Sequence, residues 1–538
     1  MRTEPLSAPM RDGVRLLADR YDGLDAPACA TVLIRSCYGR GSIFRLVAGL
    51  LAERGMQVVV QSCRGTGGSQ GLFRPFFDER DDGADTVTWL EGQPWYTGHL
   101  ALWGGSYLGN TAWAIAASSV GERVQALGLH VTLSNFRDRT YAFDGFTLEA
   151  SLGWTLSMLN VLNNTTGMNV FAALRTARRN RPLARRAIDT LPLSGADRVL
   201  GPRGASWWQD WMAHAEPRDP WWDPVDYGAA AKALAPTVMT AGWYDIFLPW
   251  QLHDFTTARN AGRDVRIVIG PWMHAALAAA GESLRQSIAL FRRCFRKSGQ
   301  SEPLPAEPVV RLYVMGANQW RDYPCWPPPG TGSVAWFLDE HGTLVPKPPT
   351  SEASASFDFD PMHPTPSLYG ATLAGRSGSG PIRALEARSD VLVFSTEPLM
   401  ADMEVIGAVS AQIYLRSSTE YTDLYLCLCD VAPRSEARSV CDGYIRLRPP
   451  TGEKDLRTGP GAVRKVSVEF WPTAWRFARG HGIRVLLASG AHPRYARNLG
   501  SGEPLGDAQT AVVAHQEILF GPAHPSRLML PVGGEAAQ

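Results

Sequence analysis

Short β-rich runs and helical runs alternate along the first 130 residues, and this alternation restricts the fold more than any other feature of the sequence. The runs "ATVLIRS" and "MQVVVQS" are typical of buried strands. Between them, "FRLVAGLLAERG" spaces its apolar residues as a helix does and ends at Gly55, a residue type common at helix C-termini. Strands that alternate with helices predict a mainly parallel sheet.

One serine stands between glycines in the stretch "ALWGGSYLGN". The preceding run "HLALW" predicts a strand, and the alanine-rich "YLGNTAWAIAASS" that follows predicts a helix. A strand, a sharp turn and a helix are the context in which a nucleophilic serine is held. The usual motif has glycine two residues after the serine, whereas here Leu108 stands there and Gly109 follows it. The motif alone therefore allows two interpretations of Ser106: a catalytic nucleophile, or a serine in a glycine-rich turn without a catalytic role.

A serine nucleophile needs a base and an acid that orients the base, because a serine hydroxyl is hardly ionised at neutral pH. On an open parallel sheet these residues are expected at the carboxyl ends of later strands. Asp245 ends the run "VMTAGWYD", and His274 ends "VRIVIGPWMH". The order Ser106, Asp245, His274 is the triad order of α/β-hydrolases, so we predict a catalytic triad. Each residue has another interpretation when it is considered alone. Asp245 is then the N-cap of a helix, and His274 is a histidine with a structural role only.

The sequence pattern changes along the chain and predicts three structural parts. Residues 1–134 and 229–305 carry the strand and helix alternation and are predicted to form the α/β-hydrolase core. Residues 135–228 include the tryptophan-rich "SWWQDWMAHAEPRDPWWDPVD" and predict a helical cap insertion. Residues 306–538 contain alternating runs such as "EVIGAVSAQIYLRSS" and predict a C-terminal β-sandwich or jelly roll. The predicted class is α/β, with an α/β-hydrolase fold, a helical cap and a jelly-roll domain.

Long motifs in the chain resemble one family of serine hydrolases. The segment "RGTGGSQGLFRPFFDERDDGADTVTWLEGQPW" is the most diagnostic, and "GGSYLG", "AGWYDIF" and "GPWMH" surround the three triad candidates. The last part of the chain adds "VRLYVMGANQWRD" and "VCDGYIRLR". In these motifs the chain resembles the group of cocaine esterase and X-Pro dipeptidyl-peptidases, which includes α-amino acid ester hydrolases and glutaryl acylases. Tyrosine follows the serine in this family, so the resemblance accounts for the unusual position of Gly109.

The resemblance implies further site residues. In the family, a tyrosine hydroxyl and the backbone N–H after the nucleophile form the oxyanion hole, and these match Tyr38 and Tyr107. Gln61 and Phe247 match positions that line the substrate pocket. Trp154, in "SLGWTLSM", is a further pocket candidate from the cap, with a tryptophan of the protein core as the alternative.

Charge and composition exclude several classes of function. Lysine plus arginine number 53 and aspartate plus glutamate 52, so no overall field favours nucleic acid or an anionic membrane as a partner. No apolar run reaches the length of a signal peptide or a membrane span, so we expect a cytoplasmic protein. The sequence has no phosphate-loop motif and no metal-ligand spacing, so we expect neither cofactor nor metal.

The sequence narrows the substrate only to a class. No acidic cluster follows His274 in "HAALAAA", which favours a small-molecule acyl ester without a free α-amino group. Hydrolysis of such an ester through an acyl-enzyme is the predicted function. Activity as an X-Pro dipeptidyl-peptidase, an amide acylase or an acyltransferase stays open, and a non-catalytic carbohydrate-binding protein is the remote alternative. A homo-oligomer, and an influence of Cys37 and Cys63 on the site, also stay open.

Overall fold

The computed structural model describes residues 1–23, 28–163, 182–295, 308–373, 375–449 and 459–533. Its first strands are β1 (Arg2–Pro9), β2 (Arg15–Asp22), β3 (Thr31–Ser36), β4 (Gln57–Ser62), β5 (Leu100–Gly105), β6 (Ala126–His130), β7 (Tyr141–Ala142), β8 (Gly145–Phe146), β9 (Thr237–Tyr244), β10 (Val265–Met273), β11 (Val310–Val314) and β12 (Gln319–Tyr323). Ten of them form one sheet in the order β1-β2-β4-β3-β5-β6-β9-β10-β11-β12, and β7 pairs with β8. Neighbours from β4 to β11 are all parallel, which confirms the predicted parallel core.

The α-helices include α1 (Ser42–Ala52), α2 (Glu79–Glu91), α3 (Tyr107–Ala116), α4 (Phe136–Thr140), α5 (Leu148–Asn163), α6 (Ala196–Leu200), α7 (Ser206–Ala213), α8 (Leu248–Asn260), α9 (Leu277–Cys294) and α10 (Arg383–Glu386). Helices cover both faces of the sheet, so every residue of β3, β4 and β9 is buried. Alternate residues of β3 belong to two cores: Val32 and Ile34 lie in the core that contains α1, and Leu33 lies in the core that contains α3. Burial on both faces explains why these strands have continuous apolar runs.

The described part of the predicted insertion is mainly helical and lies next to the ends of the core strands. It contains α4, α5, α6 and α7 and the short β7-β8 hairpin, while residues 164–181 lie outside the described residues. Trp207, Trp208 and Trp211 of α7 are all buried. These tryptophans therefore form part of the hydrophobic core of the cap.

The C-terminal part is an antiparallel sandwich. Its strands are β13 (Gly332–Leu338), β14 (Leu344–Val345), β15 (Ala353–Phe359), β16 (Leu392–Ser395), β17 (Met403–Gly407), β18 (Ser410–Ser417), β19 (Thr422–Val431), β20 (Arg438–Leu447), β21 (Val463–Glu469), β22 (Thr473–Phe477), β23 (Gly482–Ala488), β24 (Ala514–Phe520) and β25 (Arg527–Val532). They form a nine-stranded and a four-stranded sheet. The preceding strands β11 and β12 pair with the core sheet instead. The core sheet therefore extends past the boundary predicted at residue 305.

A buried carboxyl group fastens the chain after β6 to α8. Asp254 on α8 accepts hydrogen bonds from the backbone N–H and the hydroxyl of Ser134, at 2.9 Å and 2.6 Å. Burial is the main cause that raises the pKa of Asp254 from 3.8 to about 7. Because this pKa is higher in the folded than in the unfolded chain, the stability that the protonated group contributes is full below pH 3.8 and is lost as the pH rises through about 7.

Replacement of Asp254 by asparagine should remove this pH dependence, because the amide stays neutral and its oxygen can still accept a hydrogen bond from Ser134. We expect the free energy of unfolding of the wild type to fall relative to that of Asp254→Asn by a few kcal/mol between about pH 5 and pH 8. Denaturant unfolding of both proteins across this range measures the difference. A difference that stays constant with pH would contradict the assignment.

Candidate active site

Ser106 occupies the turn between β5 and α3. Its backbone has φ 57° and ψ −127°, a conformation that residues other than glycine rarely adopt. Two glycines allow this turn. A Cβ on Gly104 would lie 2.2 Å from the backbone oxygen of Leu108, and a Cβ on Gly109 would lie 2.6 Å from the side chain of Thr132. The strained serine and the close approach of the helix give this turn the geometry of a nucleophile elbow.

The carboxyl ends of β9 and β10 bring the other two triad candidates to this turn. His274 follows β10, and its Nε2 lies 2.9 Å from Ser106 Oγ. The Nδ1 of the same ring lies 2.8 Å from Oδ2 of Asp245, which follows β9. Asp245 is fully buried, whereas the side chain of His274 is 10% exposed. The serine is thus within hydrogen-bonding distance of the histidine, and the histidine within that of the aspartate, as in a Ser-His-Asp triad.

Two further residues hold Asp245 in place. The backbone N–H of Phe247 donates a hydrogen bond to Asp245 Oδ1 at 2.8 Å. The indole Nε1 of Trp471, in the C-terminal sandwich, donates to the backbone oxygen of Asp245 at 3.1 Å. The guanidinium group of Arg494 lies 4.4 Å from the centre of the Trp471 ring. The sandwich therefore positions the acid of the candidate triad, a role for Trp471 that sequence analysis missed.

Tyr38 follows β3 and lies in the cavity wall beside Ser106. Its hydroxyl accepts a hydrogen bond from Nε1 of Trp154 at 3.0 Å, so the hydroxyl proton stays available for donation. Burial raises the pKa of Tyr38 well above its usual range, and the group is therefore protonated at neutral pH. Tyr107 is the first residue of α3, where a backbone N–H has no acceptor within the helix. The Tyr38 hydroxyl and the Tyr107 N–H are thus two available donors next to Ser106.

A buried ion pair supports the chain behind Tyr107. Arg35 Nη1 lies 2.7 Å from Glu79 Oε2, and both side chains are almost completely buried. The hydroxyl of Tyr107 donates to Glu79 Oε1 at 2.8 Å and accepts a hydrogen bond from the backbone N–H of Phe76 at 3.0 Å. Removal of one partner from such a buried pair typically costs about 3 to 5 kcal/mol. The network therefore fixes the first turn of α3, which carries the Tyr107 N–H.

A cavity of about 270 Å³ opens beside Ser106, and its wall is mostly aromatic and apolar. Phe247 lies in this wall with its ring centre 5.1 Å from that of His274. Trp154 also lies in the wall and stacks on the ring of Tyr107 at 6.0 Å. Phe247, which the resemblance implies, and Trp154, the further candidate from the cap, therefore both line the cavity next to the candidate nucleophile.

Gln61, the third implied pocket residue, does not line this cavity, and the prediction for it is wrong. The side chain is completely buried in the core that lies between the sheet and α2. Its Oε1 accepts hydrogen bonds from Arg35 Nε at 2.8 Å and from Thr86 Oγ1 at 3.0 Å. Side chains along a strand alternate between the two faces of a sheet, and the position of Gln61 in β4 directs it toward α2.

The described residues were also searched for reactive thiols, metal sites and membrane-spanning helices. Burial raises the pKa of the Cys37 and Cys63 thiols well above the usual range, which keeps both in the unreactive protonated form. No group of three or more His, Cys, Asp or Glu side chains that could hold a metal ion occurs in the described ranges. In the same part of the chain, no helix has the length and apolarity needed to cross a membrane.

Comparison with known proteins identifies the family. The family model of the X-Pro dipeptidyl-peptidases (S15 family) matches residues 12–276, and that of the X-Pro dipeptidyl-peptidase C-terminal non-catalytic domain matches residues 305–529. The chain is 31% identical to cocaine esterase of Rhodococcus sp. (strain MB1 Bresler), and the alignment covers 97% of each protein. The chain belongs to the S15 family. The resemblance inferred from the sequence motifs is thereby confirmed.

Solved structures of similar proteins share the fold of this S15 protein. An α-amino acid ester hydrolase matches it with a TM-score of 0.81 at 19% identity, covering 99% of this chain and 96% of the other. An aminopeptidase from a Thaumarchaeota archaeon of marine sediment matches with a TM-score of 0.80 at 20% identity and the same coverage. Because nearly the whole length of each chain is matched, the predicted fold of an α/β-hydrolase core with a C-terminal sandwich is confirmed.

Proposed function

We propose that this S15 hydrolase cleaves carboxylic esters through an acyl-enzyme, with Ser106 as nucleophile, His274 as general base and acid, and Asp245 as the residue that orients His274. The observation that carries the proposal is the continuous line of contacts from Asp245 through both ring nitrogens of His274 to Ser106, at 2.8 Å and 2.9 Å. The relative from Rhodococcus supports the reaction type, since it is named an esterase.

In the acylation step, Ser106 Oγ attacks the carbonyl carbon of the ester while its proton moves to His274 Nε2. Asp245 accepts the hydrogen bond from His274 Nδ1–H and stabilises the imidazolium that forms. When the tetrahedral intermediate collapses, the bond between the carbonyl carbon and the alcohol oxygen breaks, and Nε2 returns its proton to the leaving alcohol. Ser106 then carries the acyl group as an ester.

The two donors beside Ser106 support stabilisation of the oxyanion in this step. As the carbonyl oxygen becomes negative, the Tyr38 hydroxyl and the Tyr107 N–H can both donate hydrogen bonds to it. Their contribution does not require reorganisation, because Trp154 already holds the Tyr38 hydroxyl and the helix already fixes the Tyr107 N–H. In the second half of the reaction, water takes the place of the alcohol, gives its proton to His274 Nε2 and attacks the acyl-enzyme. The acid is released and Ser106 regains its proton.

The charge of the cavity wall supports an ester without a free ammonium group. The residues lining the cavity in the described part of the chain include no aspartate or glutamate, and the one with a permanent charge is the cationic Arg139. A substrate ammonium group would meet no counter-ion in this wall and would be repelled by the guanidinium. This favours acyl esters over the peptides and amino esters that the family resemblance left open.

Trapping of the acyl-enzyme tests the proposal. Intact-mass analysis after incubation with a small fluorophosphonate should find one adduct, on Ser106, and none in Ser106→Ala. Ser118→Ala, at the other end of the same helical segment, is the matched control and should be labelled like the wild type. Absence of an adduct from folded wild-type protein would reject the proposal and favour a binding protein. A second assay adds an alcohol to the reaction and measures both products. Free acid is the product of hydrolysis, and the ester of the added alcohol is the product of acyl transfer.

Replacement of Tyr38 by phenylalanine should lower kcat for p-nitrophenyl esters by about 10²- to 10³-fold, because one oxyanion donor is lost while the ring stays in place. KM should change little, since the hydroxyl acts mainly on the charge of the transition state. Trp154→Phe keeps the Tyr38 hydroxyl but removes the hydrogen bond that orients it, so its kcat should fall less. Steady-state kinetics of the two variants and of the control Tyr414→Phe measure both effects. An unchanged kcat in Tyr38→Phe would exclude this oxyanion donor.

A further inference from the structure

An amide in the wall of the cavity has an acceptor without a hydrogen-bond partner, and the proposed reaction does not use it. Asn110, on α3, lines the cavity beside Ser106 and is 2% exposed. Its Nδ2 donates to the backbone oxygen of Leu133 at 3.3 Å, whereas its buried Oδ1 has no partner among the described residues. A buried acceptor without a partner costs free energy. Its place in the wall of a cavity therefore indicates a hydrogen-bond donor on a ligand.

The contact with Leu133 determines the orientation of the Asn110 amide. A rotation of the amide by half a turn would place Oδ1 against the carbonyl oxygen of Leu133, and two acceptors cannot form a hydrogen bond with each other. The NH₂ group therefore faces Leu133, and the other arm of the amide is the acceptor. A ligand group that satisfies Asn110 must accordingly be a donor.

A buried donor without a partner belongs to the same part of the wall. Arg139 lines the cavity and its Nη1 donates to Ser151 Oγ at 3.0 Å, whereas its Nε has no hydrogen-bond partner among the described residues. The guanidinium carbon lies 5.8 Å from the ring centre of Phe136, another residue of the wall. The segment 133–139 therefore contacts Asn110 at one end and carries this donor at the other.

The charges at the cavity favour a neutral ligand group over an ion. Burial lowers the pKa of Arg139 to about 10, and the carboxylate of Glu149 acts in the opposite direction, so these two charges offset each other. A ligand ammonium group would meet no carboxylate among the described residues that line the cavity. A hydroxyl group is neutral, and its one oxygen atom can donate to an acceptor such as Asn110 Oδ1 and accept from a donor such as Arg139 Nε.

The position of Asn110 relative to Ser106 assigns this hydroxyl group to the acyl half of the ester. The backbone N–H of Asn110 donates to the backbone oxygen of Ser106 at 3.1 Å, so the two residues are neighbours one helical turn apart. In the proposed reaction the acyl carbon is bonded to Ser106 Oγ, whereas the leaving alcohol takes its proton from His274. The part of the substrate next to Asn110 is therefore the beginning of the acyl chain.

We propose that Asn110 accepts a hydrogen bond from a hydroxyl group of the acyl chain, so that the preferred substrates are esters of short 2-hydroxy or 3-hydroxy acids. The inference rests on the proposed esterase function and assigns its substrate class. A cavity of about 270 Å³ is small compared with sites for drug-sized ligands and fits a short acyl chain.

The test compares esters that differ in one group of similar size. The p-nitrophenyl ester of 3-hydroxybutanoic acid carries a hydroxyl group where that of 3-methylbutanoic acid carries a methyl group, and the esters of 2-hydroxypropanoic and 2-methylpropanoic acid form a second pair. Each ratio of kcat/KM is divided by the ratio of the enzyme-free hydrolysis rates, which removes the effect of the hydroxyl group on ester reactivity. Wild-type protein should favour the hydroxy ester of at least one pair by about 10-fold or more, as expected for a buried neutral hydrogen bond.

The two enantiomers of each hydroxy ester are assayed separately, because an acceptor at a fixed position should select one of them. Asn110→Leu has a similar shape but no acceptor, so it should lose both the preference for the hydroxy ester and the selection between enantiomers. The ratio of kcat/KM for two esters on one protein sample does not depend on the fraction of that sample that is folded.

Thr111→Val is the matched control, because it removes a buried polar group from the next position of α3. The Thr111 hydroxyl donates to the backbone oxygen of Leu108 at 2.8 Å, and the residue is not part of the cavity wall. This variant should keep the preference of the wild type. An equal loss of preference in Thr111→Val would assign the effect to the helix as a whole and reject the role of Asn110.

Three further results would overturn the inference. Wild-type protein that treats the esters of each pair alike, or an Asn110→Leu variant that keeps the preference, would exclude a role of Asn110 in acyl recognition. A preference for 2-hydroxyethyl butanoate over propyl butanoate, without one in the acyl pairs, would place the hydroxyl group on the alcohol half. If no ester is hydrolysed and fluorophosphonate does not label Ser106, the proposed function fails as well. Labelling of Ser106 without any preference for hydroxy esters rejects the substrate class alone.

Discussion

Ester hydrolysis should fall by about 10⁴- to 10⁶-fold in kcat when Ser106 is replaced by alanine, because no other group can then form the acyl-enzyme. Alanine keeps the Cβ atom, so the turn at φ 57° has the same strain as in the wild type. Thermal unfolding should therefore occur near the wild-type temperature, and the loss of activity can be assigned to the missing hydroxyl. Burst-phase and steady-state measurements with p-nitrophenyl esters quantify the change.

The result that would contradict a role of Ser106 is a variant that keeps more than about one hundredth of the wild-type kcat, since the cavity and oxyanion donors alone supply far less. Residual activity counts only if it copurifies with the variant, because activity that separates from the variant belongs to a contaminating esterase. Ser106→Gly offers an independent check of the strain. It also lacks the hydroxyl, but glycine tolerates the positive φ, so this variant should be inactive without being destabilised by the turn.

The sequence was sufficient to predict the parts of the candidate site that depend on local patterns. Ser106, Asp245 and His274 each follow an apolar run, and the carboxyl ends of parallel strands lie at the same edge of a sheet. This prediction needed neither the strand order nor any contact between distant segments, because the carboxyl ends of all parallel strands lie at the same edge whatever their order. The parallel core and the antiparallel sandwich could likewise be predicted from local patterns.

The position of Gln61 shows why a site residue cannot be assigned from a sequence resemblance alone. A motif match gives the position of a residue along a strand, but the face on which its side chain lies depends on the period of two and on the contacts available there. In this chain the amide oxygen of Gln61 satisfies Arg35 and Thr86 within the core. Gln61 therefore serves as a hydrogen-bond acceptor inside the core, and the sequence around β4 contains no sign of its contacts with Arg35 and Thr86.

The positions of Trp471 and Arg139 beside the candidate site could not be predicted, because they depend on contacts between separate segments. Trp471 reaches the backbone of Asp245 across 226 residues of sequence, and no local pattern indicates that contact. Arg139 lies two residues after Arg137 in a five-residue helix, and the sequence does not tell which of the two arginines reaches the cavity. Contacts of this long-range kind are absent from local sequence patterns, whereas each candidate triad residue follows an apolar run that the sequence shows directly.

Asp245→Asn should lower kcat by about 10⁴-fold with little change in KM, because it reverses the tautomer of His274. The backbone N–H of Phe247 donates to Asp245 Oδ1 and will keep the amide oxygen of the asparagine in that position. The amide NH₂ group then faces His274 Nδ1 and can only donate to it. The neutral imidazole must therefore carry its proton on Nε2, where it cannot accept the proton of Ser106. The ester panel used for Ser106→Ala measures kcat and KM of this variant.

Asp254→Asn is the matched control, because it makes the same change in another buried aspartate that does not contact His274. It should keep nearly the full activity. Fluorophosphonate labelling of Asp245→Asn should be slowed by a factor similar to that of ester hydrolysis, since both reactions need the same proton transfer to His274. If Asp245→Asn were as active as Asp254→Asn, the hydrogen bond of 2.8 Å to His274 would not orient the ring during catalysis, and His274 would depend on Phe247 packing alone.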